Sequence, residues 1–557
     1  MPDAGPPASY EAAAAGYGGN SVKRPHSPSR DGSAAVSAAV AALTTGQQVQ
    51  FWHEADAGKD QTALVLRHGA KKGVSARLLQ SHGWLNGTVE QPFDPAALDP
   101  AREETWPLIL PKSDNVFIDR RGKPVLAAGL PRRVLLVRAP SSKPPLLSVG
   151  FMRWGGVYSK WMDDQEANDG DWGKYGSPPS DEYMGHLVKL GLMAHPQLMA
   201  DSQGHPTFEL LHYFVTSSMD CWNMPELAPK LREIMRGTRK TLFWMLWPAE
   251  WEDTGDPDFA CYIERQALFA AMRSCEALGI RTAFPHPADQ LETITSKKWM
   301  ATLSVHPGAF LPAATLVSKG AVMDNVARAA ENALNALNHI RSFNPMPVSP
   351  GDPPAPSEVN KDGVKKGVVK LGWSWENRFV VTFNNPKQLQ ERLTEMMSQP
   401  GCTASQCLVQ EWVDFDFEMR LYFLPPSDWP VKAPILPTMI QCNAWGPPDD
   451  TKGVGVSRAS FSKLTEAACL ERWEQDTAAW EMGKEKATKI GQLLLAWLLA
   501  TEHQPVPMIR LDFMMRRTAP GHARAVFGEY CEMGACCLGW KEGPPTIWRA
   551  ALDAQLR

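Results

Sequence analysis

Two apolar runs in the second half of the chain each carry a single central cation: Lys370 within residues 368–371, and Arg420 within residues 418–423. A cation set among apolar neighbours is costly unless it meets an anion. Phosphate is the natural partner of such a Lys–Arg set. A third apolar run, residues 508–515, carries Arg510 and Asp512 two positions apart, hence on one face of a strand. Thr-Ala-Pro-Gly at 518–521 then reads as a turn into a further strand over residues 523–531. Folding that hairpin about Pro520 and Gly521 sets Asp512 opposite Glu529. Facing carboxylates repel unless a cation sits between them. Oxygen ligands of this kind suit Mg2+, which takes one or two protein carboxylates together with substrate phosphates.

Strands and helices must hold these groups. Residues 240–246 read as a buried strand, residues 262–278 as a helix with apolar residues at helical spacing, and residues 280–284 as another strand. A strand–helix–strand unit of this kind builds an open, mostly parallel sheet. The helix around residues 484–501 presents Ile490, Leu493, Leu494 and Trp497 on one face, a core-packing pattern. Short strand-like runs with turns between about residues 49 and 119, including Asn86-Gly87 as a turn, suggest a small β-rich domain. Residues 133–138 read as one buried strand opening the next domain, and the proline-bearing stretch 345–366 as a connector. Residues 1–45 are rich in Ala, Gly, Ser and Pro, lack the apolar content to offset ordering entropy, and are expected to be disordered. The basic stretch 23–30 within them reads as part of a solvated tail.

The totals exclude several classes of function. The chain has 557 residues, 44% hydrophobic and 21% charged, with net charge −4, which gives no overall attraction to nucleic acid or an anionic membrane. No apolar stretch approaches the ~20 residues of a membrane helix, and no secretory signal is expected. The ten cysteines include no CxxC pair, and Cys531, Cys536 and Cys537 lack the spacing of a zinc site. Reduced thiols in a soluble, cytoplasmic protein are the expectation. The acidic loop 163–171 fails the calcium-loop pattern, because the ligand positions fall on Gln165 and Ala167. Glu411, taken alone, reads as exposed.

The order of these pieces over about residues 290–540 resembles the ATP-grasp superfamily. Pro285 to Leu291 lead into Ser296 to Leu303; then come Leu311 to Val317, a helix, the Lys370 strand and its loop, Gln410 to Val413, Arg420, a long helix and the Arg510–Asp512 hairpin. The resemblance implies an α/β (α+β) protein: a disordered tail (1–45), a β-rich accessory domain (46–128), a pre-ATP-grasp-like α/β domain (129–290) and an ATP-grasp domain (291–557). It implies that Lys298 or Lys297, together with Lys370, contacts ATP phosphates, and that a loop from Gly372 to Asn377 closes over them. Gln410, Glu411, Trp412 and Val413 would line the adenine slot. Glu418 would hold the ribose, Arg420 and Arg510 the phosphoryl side, and Asp512 and Glu529 would bind Mg2+ (or Mn2+), with Glu532 as second choice. Two features depart from the family pattern. The loop has Gly372 alone, and where the family often carries Glu-x-Asn this chain has Cys531, or Gly534 if Glu532 is the ligand.

The reaction so implied is an ATP-dependent carboxylate–amine (or thiol) ligation through an acyl phosphate, acting on a small-molecule or peptide carboxylate. Two alternatives stand beside it. One is a nucleotide-binding scaffold with lost chemistry and a protein partner at its N-terminal domain; the other is a small-molecule kinase on the same fold.

Overall fold

The computed structural model describes residues 38–54, 64–66, 78–94, 107–112, 116–118, 132–133, 136–154, 191–193, 195–199, 205–251, 262–306, 311–344, 360, 362–373, 379–425, 435–446, 460–502, 506–533 and 543–557. The basic stretch 23–30, the acidic loop 163–171 and the loop residues Ser374 to Asn377 lie outside them. The described residues make a mixed α/β protein in two compact units.

The first unit takes the chain up to Leu246, with Ala270–Ala283 and Pro544–Arg557. Its centre is an 11-stranded sheet. The strands are β1 (Gln48–Glu54), β2 (Leu64–Leu66), β3 (Leu78–Gln91), β4 (Leu108–Pro111), β5 (Val116–Ile118), β6 (Arg132–Arg133), β7 (Val137–Arg138), β8 (Leu147–Trp154), β9 (Phe208–Val215), β10 (Arg239–Trp244) and β13 (Arg281–Phe284). Strand β8 runs parallel to β9 and β10, and β13 lies beside β10. Because β3 pairs with both β1 and β9, strands on either side of the boundary drawn at residue 128 share one sheet.

Three local expectations need correcting. Asn86-Gly87 is no turn: β3 runs straight through it, and Gly87 is there because an added Cβ would lie 2.5 Å from the Ile109 side chain on β4. The run 133–138 divides between β6, which pairs with β4, and β7, which pairs with β1. The helix begins at Arg265, not Tyr262, because residues 262–264 form β12 (Tyr262–Glu264) beside β11 (Trp247–Ala249).

The second unit holds Trp247–Phe269 and Phe284–Gly543 and has two antiparallel sheets. The smaller has the order β14 (Ala314–Ser318), β17 (Gln406–Glu411), β15 (Gly367–Lys370), β16 (Val380–Phe383). Its core lies under the helices Lys319–Phe343 and Pro386–Met397, with Leu337, Val369, Phe383, Leu389 and Leu393 fully buried. The longer helix bends at Asn325, where φ −156° and ψ 94° leave the helical region, and the Asn325 side chain caps the second segment by accepting from Arg328 N. The larger sheet has the order β20 (Phe461–Leu464), β19 (Met439–Trp445), β18 (Phe417–Phe423), β21 (Ile509–Ala519), β22 (His522–Cys531). The helix Thr477–Glu502 covers it through Ala487, Ile490, Leu494 and Leu498. Among the described residues, no helix is long and apolar enough to cross a membrane.

Candidate active site

The hairpin β21–β22 carries the densest charge. Its two-residue turn uses Pro520, whose ring fixes φ, and Gly521 at φ 73°, a left-handed conformation that glycine adopts without strain. Register then pairs Asp512 with Glu529 and Arg510 with Cys531. A bulge between Asp512 and Phe513 leaves Gly528 as the extra residue. Alternation puts Arg510, Asp512, Glu529 and Cys531 on one face. Arg510 holds Asp512 through both guanidinium-to-carboxylate contacts, Nε–Oδ1 and Nη2–Oδ2 each at 2.8 Å, and also donates to Cys531 Sγ at 3.0 Å.

The neighbouring strand β18 adds the next two charges. Arg420 stands opposite Asp512 in register, with its Nε 3.8 Å from Asp512 Oδ2 and 2.6 Å from Glu418 Oε1. Burial raises the Glu418 carboxyl above the usual range, against the pull of Arg420. The side chains of β19 complete this corner: the Asn443 amide lies against Glu418, and Trp445 Nε1 donates to Glu418 Oε2 at 3.2 Å. Sequence reasoning missed these two, although the polar alternation Gln441, Asn443 in an otherwise apolar strand was a usable signal.

Two lysines approach Glu529 from other elements. Lys297 takes a left-handed backbone, φ 57°, which for a non-glycine residue costs about 1 kcal/mol or more. That conformation sits beside a Lys297 Nζ–Glu529 Oε1 ion pair at 3.0 Å. Lys370 ends β15, and its strand meets the Lys297 segment closely: a Cβ at Gly372 would lie 2.5 Å from Ser296 O. Burial, and then the like charge of Lys297, push the Lys370 ammonium down to about 8, with Glu529 opposing. Glu532, half-buried, is raised to about 7 by burial, with Glu529 adding to the shift. His286, neutral because burial lowers it to about 3, accepts from Met533 N at 3.0 Å and pins the chain just beyond Glu532.

Lys297, Lys370, Glu418, Arg420, Arg510, Asp512, Glu529 and Glu532 thus form one electrostatic neighbourhood. The other residues implied by the resemblance make the following contacts. Lys298 places Nζ 5.1 Å from the Trp373 ring, and Arg265 places its guanidinium carbon 4.4 Å from the same ring. The pair clamps the start of the loop that follows Gly372. Gln410 is buried, with Nε2 3.9 Å from Met300 Sδ. Trp412 donates to Asp414 and takes Lys366 Nζ over its ring at 3.9 Å. Val413 packs with Val526 and Met514, tying the connection between the two sheets to β21–β22.

Glu411 is buried and not exposed: Oε1 accepts from Ala313 N at 2.9 Å, and Oε2 pairs with Arg341 Nε at 3.2 Å. It anchors the long helix and the start of β14 to β17. Glu411→Ala is expected to cost about 3 kcal/mol, since it leaves Arg341, largely buried, with its bond to Asn360 O but no carboxylate, and a buried N–H without an acceptor. Urea unfolding of the variant checks this; a loss below about 1 kcal/mol would mean that the pair is solvated.

Two of the three residues expected to bind Mg2+ belong to one cluster of donors. Among the described residues, one group offers three ligand atoms within 4.8 Å of one another: Asp512, Glu529 and Cys531. Each carboxylate oxygen keeps lone pairs beyond its bond to Arg510 or Lys297. Two facing carboxylates fit a hard cation, and the thiol does not add to them.

No family model matches the chain, and no curated protein matches it. Among solved structures it is similar to D-cycloserine synthetase, at 14% identity over 74% of this chain and 100% of that one, with a TM-score of 0.37. It is also similar to D-alanine–D-alanine ligase from Bacillus anthracis complexed with ATP (12% identity, 74% and 96% covered, TM-score 0.38). N5-carboxyaminoimidazole synthetase from Staphylococcus aureus complexed with ADP follows at 11%, with 70% and 72% covered and a TM-score of 0.34.

Proposed function

We propose that the second unit binds Mg-ATP on the β21–β22 face beside Lys297 and Lys370, and that the protein is an ATP-dependent ligase of the carboxylate–amine (or thiol) type. The observation that carries this reading is Lys370. It is a largely desolvated cation with no ion pair or hydrogen bond among the described residues, set beside Lys297 and the facing carboxylates. A polyphosphate with its divalent ion would complete that charge pattern. Asp512 and Glu529 would hold the metal ion, which when bound neutralises charge on the transferring phosphoryl oxygens. Lys370 and Lys297 orient the phosphate tail, and Arg420 and Arg510 stabilise charge as it develops there. A substrate carboxylate attacking the terminal phosphate would give an acyl phosphate and ADP, and an amine or thiol would then displace phosphate. No side-chain nucleophile is required.

A second reading, a nucleotide-binding scaffold without turnover, draws support from Cys531 at the last ligand position and from Arg510 engaging both oxygens of Asp512. ADP release separates the two. Incubated with Mg-ATP and pools of amino acids, small carboxylates and amines, a ligase forms at most about one equivalent of ADP with a carboxylate alone and turns over only when a nucleophile is present as well. Tight ATP binding with no ADP release in any pool would leave the scaffold reading and remove the ligase. ADP release with hydroxylic substrates alone would turn the reading to a kinase.

A further inference from the structure

One indole in the second unit gathers three polar groups that the fold leaves unsatisfied. Trp373 is buried, and its Nε1–H finds no acceptor among the described residues. Arg265 stands against the same ring, its guanidinium carbon 4.4 Å from the centroid, and donates from Nε to Glu250 Oε1 at 3.1 Å. The other oxygen of Glu250, Oε2, is buried and accepts no hydrogen bond among the described residues. Lys298 puts Nζ 5.1 Å from the ring centroid and has neither an ion pair nor a side-chain hydrogen bond there. Burial lowers its ammonium and raises the Glu250 carboxyl. Buried donors and acceptors without partners are rare and destabilising.

The signs of these groups select the partner. Glu250 Oε2 asks for an N–H, whereas Trp373 Nε1 and Lys298 Nζ ask for an oxygen. A simple anion would meet the Glu250 carboxylate, and a simple cation would meet Lys298 and Arg265. A small molecule with an ammonium and a carboxylate on one carbon answers all three. We propose that Glu250, Lys298 and Trp373 form a binding site for a free α-amino acid, its ammonium on Glu250 Oε2 and its carboxylate on Lys298 Nζ and Trp373 Nε1. Arg265 positions Glu250; with Glu292 Oε1 3.6 Å from its Nη1, its own charge is already matched. Glu250 and Arg265 lie outside the stretch that resembles the ATP-grasp superfamily, so the resemblance assigns neither. For the ligation proposed above the site names the amine as an amino acid, and in that respect the inference rests on that reading.

The test needs no nucleotide. The full-length protein is titrated calorimetrically with each common α-amino acid, and the best binder is compared with its N-acetyl and carboxamide derivatives. At least one amino acid should bind with a dissociation constant below about 1 mM, and each derivative, having lost one charge, should bind at least about tenfold more weakly. Lys298→Met, at a partly exposed position, should bind the amino acid and its carboxamide equally, because the partner of the carboxylate is gone. Glu250→Gln should likewise lose most of the preference for the free amine over its N-acetyl form. The Lys298→Met comparison stands even where Glu250→Gln, which also weakens the buried pair with Arg265, fails to fold. Binding of no common amino acid, equal binding of either derivative to the native protein, or an undiminished preference for the acid in Lys298→Met would each overturn the proposal. The nucleotide reading fails separately: amino-acid binding in a protein whose melting temperature Mg-ATP does not move keeps this site and rejects ATP. A shift with Mg-ATP and no amino-acid binding does the reverse.

Discussion

Lys370→Ala should weaken Mg-ATP binding by roughly a hundredfold, about 2–3 kcal/mol, the scale of removing one charge-assisted hydrogen bond from a desolvated site. The same change should not destabilise the unliganded protein. Lys370 makes no ion pair among the described residues, and burial together with Lys297 pushes its ammonium down to about 8. The folded state thus disfavours the charged form that the unfolded chain holds up to about pH 10. The penalty is complete below pH 8. Between about pH 8 and 10 the unfolded chain binds the extra proton, so stability rises with pH in that window. Lys370→Met, which never carries the charge, should be at least as stable as the native protein at pH 7 and should lack this rise. Nucleotide affinity should move the other way, falling as pH passes 8 because ATP needs the protonated amine. Lys370→Arg, charged throughout, should flatten that decline. Isothermal titration at pH 7 and pH 9 reads the affinities, and urea unfolding reads the stabilities. Unfolding losses of several kcal/mol in Lys370→Met would show that the lysine is structural.

Asp512→Ala should fail in both respects. Its carboxylate is the centre of the hairpin face, with Arg510 on both oxygens and Arg420 3.8 Å away. Removing it leaves two buried guanidiniums without their shared partner, a loss on the order of 3–5 kcal/mol. Magnesium dependence of nucleotide binding should disappear with it. The two effects can be parted. Replacing Arg510 and Asp512 together by Met and Leu removes the orphaned charge, and should restore most of the stability but none of the magnesium-dependent binding. Glu529→Gln makes the opposite contrast: its side chain is 38% exposed and its pair with Lys297 is screened. It should cost less than about 1 kcal/mol in urea while raising the magnesium needed for nucleotide binding.

The sequence made the hairpin legible because its rules are local. Period-two alternation put Arg510 and Asp512 on one face, Pro-Gly marked the turn, and counting back from it set Glu529 opposite Asp512, a count that holds because the shift between Arg517 and Ala519 cancels the bulge between Asp512 and Phe513. The strand of Lys370 was equally plain, four residues between glycine and glycine. What stayed hidden depends on contacts between distant segments. Nothing in Lys297-Lys298 says that the first, in a left-handed conformation, meets Glu529 while the second turns to Trp373. Burial of Glu411 depends on Arg341 and Ala313, far away in the chain, so an exposed reading was the natural one. Asn86-Gly87 misled for a related reason: the glycine answers a close approach by β4, not a turn.

Whether the charges around Lys370 and Asp512 form a site for Mg-ATP is read most directly from a melting temperature. The full-length native protein and Lys370→Ala are each melted with and without saturating Mg-ATP. A rise of several degrees is expected in the native protein, as a ligand at about a hundred times its dissociation constant adds some 2.7 kcal/mol. Little or no rise is expected in Lys370→Ala. An unmoved transition in the native protein with both ATP and GTP, or an equal rise in the two proteins, would contradict a nucleotide site at Lys370.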